Sequence, residues 1–238
     1  MAVEEDPSAA LSAAYVWAPG PLRPVLTDDA VHVWRADLAA VSPDLGTLLC
    51  DEERERAERI VNGRDGELWR RSRGLLRALL GRYLQLEPSS LRFTAGEHGK
   101  PALVHQPAPA NTDRLSFNMS HSDGLALYAF STAGEVGVDV EVARRPIDTV
   151  AIAARMLGPA QVERLQALDP ALRQREFLRA WVCYEAELKC LGVGIGGSSP
   201  DAASSELWIS EIELTSPAAA AVAAEHPARE LRCWDWQP

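Results

Sequence analysis

The sequence predicts an α+β protein made of two similar lobes, residues 1–132 and residues 133–238. The main observation is a repeated order of patterns, because a strand, a helix, a longer helix and further strands follow one another in each half. A chain of 238 residues is long enough to give both halves a core. The halves of a duplicated chain enclose a cleft, so we expect a binding site between the lobes.

The first half opens with residues 1–24, which are rich in Ala and Pro and are expected to be partly loose. Beyond them, alternating apolar residues predict strands, and an apolar period of 3.6 residues predicts helices. In chain order these patterns give a strand at 31–38, a Ser-capped helix at 42–60, a longer helix at 64–84, two short strands about a Gly-Lys-Pro turn at 91–104, and a hairpin at 115–132.

The second half repeats this order after a junction near residues 132–135. In chain order its patterns give a strand at 134–143, a helical stretch at 147–168, a long helix at 173–192, a strand at 206–214 and a last strand at 228–237, which is expected to close the second sheet. The loops at 105–114 and 196–206 carry turn residues and few apolar ones, so we expect them to be mobile.

Composition and charge exclude several classes of protein. The hydrophobic content of 47% is ordinary, and no apolar run approaches the length that crosses a bilayer. The first residues show no basic start followed by an apolar block, so a cytoplasmic protein is expected. A net charge of -10 disfavours nonspecific nucleic-acid binding. The four cysteines lack zinc-finger spacing, which favours buried, reduced thiols over structural zinc.

Only two of the 24 basic residues are lysines, Lys100 and Lys189. Where arginine is the default, a retained lysine indicates a place that needs a compact, rotatable ammonium group rather than a planar fork. Drift in composition would give the same count, so the lysines alone decide nothing. Lys189 follows Glu185 at four residues on the predicted long helix, a spacing that is most often a surface ion pair.

Two carboxylates share one face of the strand that contains Val136–Val142. Side chains alternate across a strand, so Asp139 and Glu141 point to one side and the valines to the other. Like charges so close repel one another unless a cation lies between them. A solvated sheet edge is the simpler reading; a magnesium site, completed by Glu185 from the long helix, is the functional one. No histidine or thiolate joins the three, which disfavours zinc.

Two other motifs have plain and functional readings. His121 follows Ser120 where a strand ends, and it is either an ordinary turn residue or a contact for a phosphate group. The glycines of segment 192–197 superficially match a dinucleotide-binding fingerprint, but they follow a helix instead of opening one. We therefore expect them to end the helix and to let the backbone approach a neighbour closely.

Three ordered motifs resemble those of the Sfp-type 4′-phosphopantetheinyl transferases, which load carrier proteins of peptide, polyketide and lipid synthesis. They are FNMSHS (117–122), GVDVE (137–141) and WVCYEAELKCLGVG (181–194), with weaker support from GEHGKP (96–101) and ERERAERI (53–60). The resemblance spans nearly the whole chain. It implies a pseudo-twofold pair of α+β lobes with coenzyme A bound in the cleft between them, in agreement with the repeated pattern.

The resemblance implies an activity that moves the phosphopantetheine arm of coenzyme A to a serine of an apo acyl or peptidyl carrier protein, releasing adenosine 3′,5′-bisphosphate. It makes Asp139, Glu141 and Glu185 the ligands of a Mg²⁺ ion that bridges the diphosphate. Glu185 would also accept the proton of the serine, directly or through water. Lys189 would stabilise the leaving phosphate.

The remaining implied contacts are to coenzyme A itself. Ser120 and His121 would contact an oxygen of the diphosphate. Arg56 and Lys100 lie where the family holds the 3′-phosphate end of the nucleotide, and Pro101 of the Gly-Lys-Pro turn joins this set. Carrier proteins are usually acidic, as this chain is, so recognition requires a local apolar or arginine-rich surface.

One departure from the family pattern keeps alternatives open. The family commonly has a lysine just before the glutamate of the long helix, whereas this chain has Tyr184. The missing charge motivates a second reading, a module that binds coenzyme A and carrier proteins with impaired turnover. A metal-dependent phosphohydrolase acting on diphosphates is a third. A monomer is expected, because a duplication within one chain forms the cleft without a second subunit.

Overall fold

The computed structural model describes residues 16–96, 99–104, 114–194, 207–214 and 217–238. Both long helices have 22 residues, and each follows a shorter helix. The elements are, in chain order, β1 (Ala18–Pro19), β2 (Ala30–Asp37), α1 (Asp51–Glu58), α2 (Gly63–Leu84), β3 (Phe93–Ala95), β4 (Pro101–Leu103), β5 (Ser116–Ser122), β6 (Leu125–Ser131), β7 (Val136–Val142), α3 (Thr149–Met156), α4 (Pro159–Ala167), α5 (Pro170–Leu191), β8 (Trp208–Ile212), β9 (Ala218–Ala224) and β10 (Glu230–Asp235).

The strands form two main sheets and one small hairpin. The first sheet has the order β1-β10-β2-β6-β5, the second has the order β7-β9-β8, and β3 pairs with β4 by itself. The hairpin β5–β6 turns at Asp123 and Gly124, whose φ angles are 51° and 83°. These observations confirm the predicted two-lobed α+β class.

Four layers stack in the order α2, first sheet, second sheet, α5. On its outer face, the first sheet packs Trp34, Tyr128 and Phe130 against the leucines of α2. On its inner face, Val33 and Leu127 meet the valines of β7. Val136, Val138 and Val140 are fully buried, as the alternation in the sequence predicts, whereas Val142 at the end of the strand is half-buried. The opposite face of β7 turns toward α5.

Small residues let α5 lie close to the second sheet. A methyl group added at Gly137 would lie 2.1 Å from the Ala186 carbonyl oxygen and 2.4 Å from the Cys190 backbone nitrogen. Ala221 and Ala223 of β9 complete the same contact with the helix. The close packing holds the inner face of α5, with its charged side chains, against β7.

Two strand predictions need correction. The last strand, β10, does not close the second sheet: it pairs in parallel with β2 and β1 of the first sheet. The sequence patterns also missed β9, the central strand of the second sheet. Its sequence is almost entirely alanine, which has a low preference for strands, and the small side chain is required where α5 packs so closely.

Both predicted helical stretches that precede the long helices are broken in the structure. The stretch 42–60 becomes a short 3₁₀ turn, Pro43–Leu48, capped by Ser42, followed by α1. The stretch 147–168 divides into α3 and α4 at Gly158, whose φ angle is 85°. Gly192 ends α5 in the left-handed conformation, as predicted.

The predicted loose segment 1–24 is described only from residue 16, where it contributes β1. The loop predicted mobile at 105–114 is described only at residue 114, and the one at 196–206 lies outside the described residues. All four cysteines are free; Cys190 and Cys233 are buried as expected, whereas Cys50 and Cys183 are half-buried. Within the described ranges, no helix combines the length and the apolar character needed to span a bilayer.

Candidate active site

A charged cluster lies where β5, β7 and α5 meet. The ammonium of Lys189 lies 2.5 Å from Asp139 Oδ1 and 3.1 Å from the hydroxyl of Ser120. The Ser120 hydroxyl in turn donates to Asp139 Oδ1 at 2.7 Å. Glu185, one turn before Lys189, has its Oε2 at 3.8 Å from the same ammonium. Lys189 is therefore shared between two carboxylates from different elements, and is not the simple surface pair that its spacing suggests.

The cluster holds more negative than positive charge. Asp139 and Glu185 are buried, and Glu141 lies next to them, half-buried on β7. Burial raises the pKa of Glu185 above its usual value; Asp139 raises it further, and Lys189 works in the opposite direction. Burial likewise raises the pKa of Glu141, against a hydrogen bond from Ser122. A single ammonium thus leaves the three carboxylates undercompensated.

The carboxylates suit a hard cation in chemistry, although their side chains are not gathered around one. In the part of the chain that the structure describes, no three His, Cys, Asp or Glu side chains are arranged to hold a metal ion. Asp139 Oδ2, however, is buried without any hydrogen-bond partner there. A buried, unpaired carboxylate oxygen beside two further carboxylates is the kind of donor set that Mg²⁺ takes. Lys189 occupies only Oδ1, so Oδ2 is the oxygen available to a cation.

His121 lies at the rim of this cluster, exposed at the end of β5. Its pKa is lowered, first by partial desolvation of the ring and then by the charge of Lys189, while Asp65 at the start of α2 acts in the opposite direction. Ser120 contacts Asp139, and His121 lies close enough to the cluster to feel the charge of Lys189. The contact of both residues with a phosphate stays a prediction.

A cleft of about 450 Å³ opens on one side of the cluster, between α1, α2 and the β3–β4 hairpin. Arg56 and Pro101 line it, together with Met119, the residue before Ser120. Arg73 and Arg92 line it too, and sequence reasoning missed both of them. Arg73 is one of many arginines on α2, and Arg92 directly precedes β3, so only the fold brings the two to one cleft.

The buried Glu53 holds two of the arginines that line this cleft. Its carboxylate accepts hydrogen bonds from Arg73 at 2.5 Å and from Arg77 at 2.7 Å, one on each oxygen. Arg73 also lies over the ring of Phe93, at 4.2 Å from the centroid. The positions of these arginines are therefore set by burial and pairing.

Lys100, the other lysine, connects the two lobes. Its ammonium donates to Glu135 Oε2 at 2.5 Å, to the Val136 carbonyl at 3.1 Å and to the Cys190 carbonyl at 3.2 Å. All three acceptors belong to the second half of the chain, while Lys100 stands on the turn before β4. The structure does not place Lys100 among the residues that line the arginine cleft.

A second cleft, of about 540 Å³, opens on the other side of the cluster. Ser122 and Glu141 form its inner end, Trp181 of α5 lies on its wall, and Arg144 and Arg145 stand at its exposed edge. Strand β5 therefore runs from one cleft to the other, with Ser120 and His121 between them.

Tyr184 does not join the cluster. It lies half-buried beside Trp181, with the ring centroids 6.0 Å apart. The expectation that this residue faces away from the carboxylates, because it is adjacent to Glu185 on a helix, agrees with this contact.

Comparison with known proteins gives matches to both halves of the chain. Residues 34–133 match the family model described as 4′-phosphopantetheinyl transferase, N-terminal. Residues 135–236 match the model of the 4′-phosphopantetheinyl transferase superfamily. The boundary between the two matches coincides with the junction between β6 and β7.

Individual relatives agree with these models. The 4′-phosphopantetheinyl transferase HetI of Nostoc is 36% identical over 184 residues, 76% of each chain. A putative 4′-phosphopantetheinyl transferase of Synechocystis is 36% identical over 157 residues, 65% of this chain and 61% of that protein. The 4′-phosphopantetheinyl transferase Sfp of Bacillus subtilis is 28% identical over 149 residues, 63% of this chain and 62% of that protein. The chain therefore belongs to the 4′-phosphopantetheinyl transferase superfamily.

Proposed function

We propose that the protein transfers the phosphopantetheine arm of coenzyme A to a serine of an apo carrier protein, with Mg²⁺, and releases adenosine 3′,5′-bisphosphate. The observation that carries the proposal is the cluster of Lys189, Asp139 and Glu185 between two clefts. One cleft is lined by arginines and suits a nucleotide phosphate, and the other has an apolar wall and an exposed arginine edge that suit a protein. Phosphoryl transfer needs this combination of charge neutralisation and positioning between donor and acceptor.

Asp139, Glu141 and Glu185 are the proposed holders of Mg²⁺. The unpaired oxygen of Asp139 supports this. Burial first, and neighbouring carboxylates second, raise the pKa values of Glu141 and Glu185, and a bound cation would relieve both effects. When bound, the ion would neutralise the diphosphate of coenzyme A. Holding three carboxylates together in a partly desolvated site costs desolvation and repulsion energy, which a bound cation would offset.

Glu185 is the proposed acceptor of the serine proton. Its raised pKa makes it a stronger base than an exposed glutamate, and burial between Asp139 and Lys189 restricts its side chain. Lys189 is the proposed partner of the leaving phosphate. Its ammonium is half-buried and close to both carboxylates, so it can exchange Asp139 for a phosphate oxygen without crossing the site.

The nucleotide end of coenzyme A is assigned to the arginine cleft. Arg56 and Pro101 line it, and Arg73, whose guanidinium is held in place by Glu53, lines it too. Lys100 joins this set only if its ammonium leaves Glu135. Ser120 and His121 lie between this cleft and the carboxylates, which supports their proposed contact with the diphosphate.

The acceptor protein is assigned to the second cleft. Its walls include the apolar side chains of Ile147, Phe177 and Trp181, while Arg144 and Arg145 are exposed at the edge. Arg144 pairs with Asp123 of the same cleft, so in a chain with a net charge of -10 we assign the attraction for an acidic carrier to Arg145. Because Glu141 of the cluster lines the inner end of this cleft, a serine docked there would lie next to the cluster.

The lobes proposed for this chain are residues 1–132 and 133–238. The ranges of the two family models, 34–133 and 135–236, support that division. The second lobe sends β10 back into the first sheet, so we do not expect either lobe to be stable when expressed alone.

We also propose that the protein is a cytoplasmic monomer without a nucleic-acid or membrane partner. Four free cysteines fit a reducing compartment, and a negative net charge disfavours nucleic acid. Both proposed clefts are formed within one chain, which supports a monomer.

Incubation with coenzyme A, Mg²⁺ and a panel of apo carrier proteins tests the proposal. We expect release of adenosine 3′,5′-bisphosphate only when both a carrier and Mg²⁺ are present. Calorimetric binding of coenzyme A and carrier without any release would support the binding module with impaired turnover. Release that needs water and no carrier would indicate a phosphohydrolase instead.

A further inference from the structure

Strands β5 and β7 are neighbouring edges of two different sheets, and side chains join them. Three residues at every second position of β5, Asn118, Ser120 and Ser122, all reach across to β7. The amide oxygen of Asn118 accepts a hydrogen bond from the Val138 N–H at 3.2 Å. The hydroxyl of Ser120 donates to Asp139 at 2.7 Å. Hydrogen bonds from a row of polar side chains thus replace the backbone hydrogen bonds of a sheet and fix the register between the two strands.

Ser122, the last residue of this row, makes two hydrogen bonds to β7. Its hydroxyl accepts the Val142 N–H at 3.2 Å and donates its own proton to Glu141 Oε2 at 2.9 Å. Because a backbone group takes one lone pair, the direction in which the hydroxyl donates is restricted. The hydrogen bond therefore holds Oε2 of Glu141, and among the described residues no hydrogen bond or ion pair engages the other oxygen, Oε1.

Asp139 is arranged in the same way. Ser120 and Lys189 take its Oδ1, and Oδ2 is buried without a partner among the described residues. On β5, Ser120 thus holds one oxygen of Asp139, and Ser122 holds one oxygen of Glu141. A carboxylate held by one oxygen loses less rotamer freedom when the other oxygen binds a cation.

We propose that Ser122 is a positioning residue, whose hydroxyl holds Glu141 so that its second oxygen is presented to a divalent cation together with Asp139 Oδ2. The inference rests on the proposed Mg²⁺-dependent function. In this proposal Ser122 acts only through Glu141 and binds neither the cation nor coenzyme A. Its part differs from that of Ser120, which is also within reach of Lys189.

The test compares Ser122→Ala and Ser122→Thr with the natural protein, with Ser116→Ala as the matched control. Ser116 stands on the same strand and donates to a carboxylate, Glu135, at 3.2 Å, but it lies at the far end of β5 from the cluster. Mg²⁺ binding is measured by titration calorimetry in the presence of coenzyme A, and the melting temperature is followed to exclude unfolding.

We expect Ser122→Ala to weaken Mg²⁺ binding by about 10-fold or more, as removal of a hydrogen-bond partner of a metal ligand generally does. The threonine variant keeps the hydroxyl and restores binding, and Ser116→Ala binds as the natural protein does. In transfer assays the alanine variant needs more Mg²⁺ for half-maximal rate, and saturating Mg²⁺ restores its kcat.

Two results would overturn the inference while leaving the proposed function intact. One is unchanged Mg²⁺ affinity in a folded Ser122→Ala protein; the other is an equal loss in Ser116→Ala, which would make the effect a general one of strand β5. A natural protein that binds no Mg²⁺ at all would remove the proposed cofactor and this inference with it. That failure is seen in the natural protein and is therefore distinguishable from a failure of Ser122 alone.

Discussion

Lys189 reaches across from α5 to β7 and places its ammonium 2.5 Å from Oδ1 of Asp139. The contact joins the two elements that carry the candidate active site, and it supplies the positive charge nearest to three carboxylates. In the absence of a divalent cation, Lys189 is the counter-ion of the cluster. During transfer the same ammonium would turn to the leaving phosphate.

Replacing Lys189 by methionine should remove this charge while keeping the volume of the side chain. We expect kcat for transfer to fall by about 10²- to 10³-fold, the usual loss when a group that stabilises developing negative charge is removed. Steady-state kinetics with a carrier protein and coenzyme A measure the effect. Lys189→Arg, which keeps the charge in a planar form, should recover part of the rate. A methionine variant as active as the natural protein would contradict the assigned role.

Glu185 should make the metal-free protein lose stability as the pH rises. Folding raises the pKa of this carboxyl, so the folded state holds its proton more tightly than the unfolded chain does. Its contribution is fully present below the unfolded pKa of about 4.3 and is lost as the pH passes through the raised folded pKa. Glu185→Gln should therefore melt at a higher temperature than the natural protein at neutral pH, and the gain should shrink toward pH 4.

Melting temperatures measured from acidic to neutral pH, without and with Mg²⁺, check this prediction. Glu163→Gln on the exposed part of α4 is the control and should show no pH-dependent gain. Mg²⁺ should stabilise the natural protein more than Glu185→Gln. A gain that is the same at every pH would show that the charge of Glu185 is not the cause.

Gly137→Ala should displace the helix that carries Glu185 and Lys189. The added methyl group would meet backbone atoms of α5, the Ala186 oxygen at 2.1 Å and the Cys190 nitrogen at 2.4 Å, and neither can move alone. We expect the free energy of unfolding to fall by about 1–3 kcal/mol, as overpacking of a core does, and transfer to fall with it. Urea denaturation measures the first effect.

Gly63→Ala is the control for that substitution, because no atom lies within 4 Å of the methyl group it would add at the start of α2. It should leave the urea midpoint close to that of the natural protein. If Gly137→Ala also left the midpoint unchanged, the close packing of α5 on β7 would not be what positions the cluster.

Arg145→Glu should weaken carrier recognition without changing the chemistry. Arg145 is exposed at the edge of the second cleft, away from Asp139 and Lys189, so the reversal of charge should raise KM for an acidic carrier and leave KM for coenzyme A unchanged. The effect should shrink at high salt. Arg232→Glu makes the same change on β10 and should have little effect. Equal losses in both variants would remove the case for docking at this cleft.

Local patterns predicted the faces of single elements well. The alternation in β7 correctly separated the buried Val136, Val138 and Val140 from the face that carries Asp139 and Glu141. The helical spacing of Glu185 and Lys189 put them on the same side of α5. Such predictions need only the geometry of one strand or one helix, which the sequence specifies directly.

Relationships between distant elements were harder to predict. The insertion of β10 beside β2 depends on the whole topology, and an alternating pattern does not say which sheet a strand joins. The alanine strand β9 looks like a helix or a linker until α5 is packed on it. Arg73 reads as one of many surface arginines, and its partner Glu53 is found only in the folded chain. Tertiary pairing decides each of these cases.

The central claim is the transfer of a group to a carrier protein, and the intact mass of the carrier tests it most directly. An apo carrier incubated with the protein, coenzyme A and Mg²⁺ should gain the mass of one phosphopantetheine arm, matched by one released adenosine 3′,5′-bisphosphate. A carrier with its acceptor serine changed to alanine should gain nothing, and neither should any carrier treated with Glu185→Gln. No mass gain on any carrier of a panel that a known transferase modifies would contradict the account.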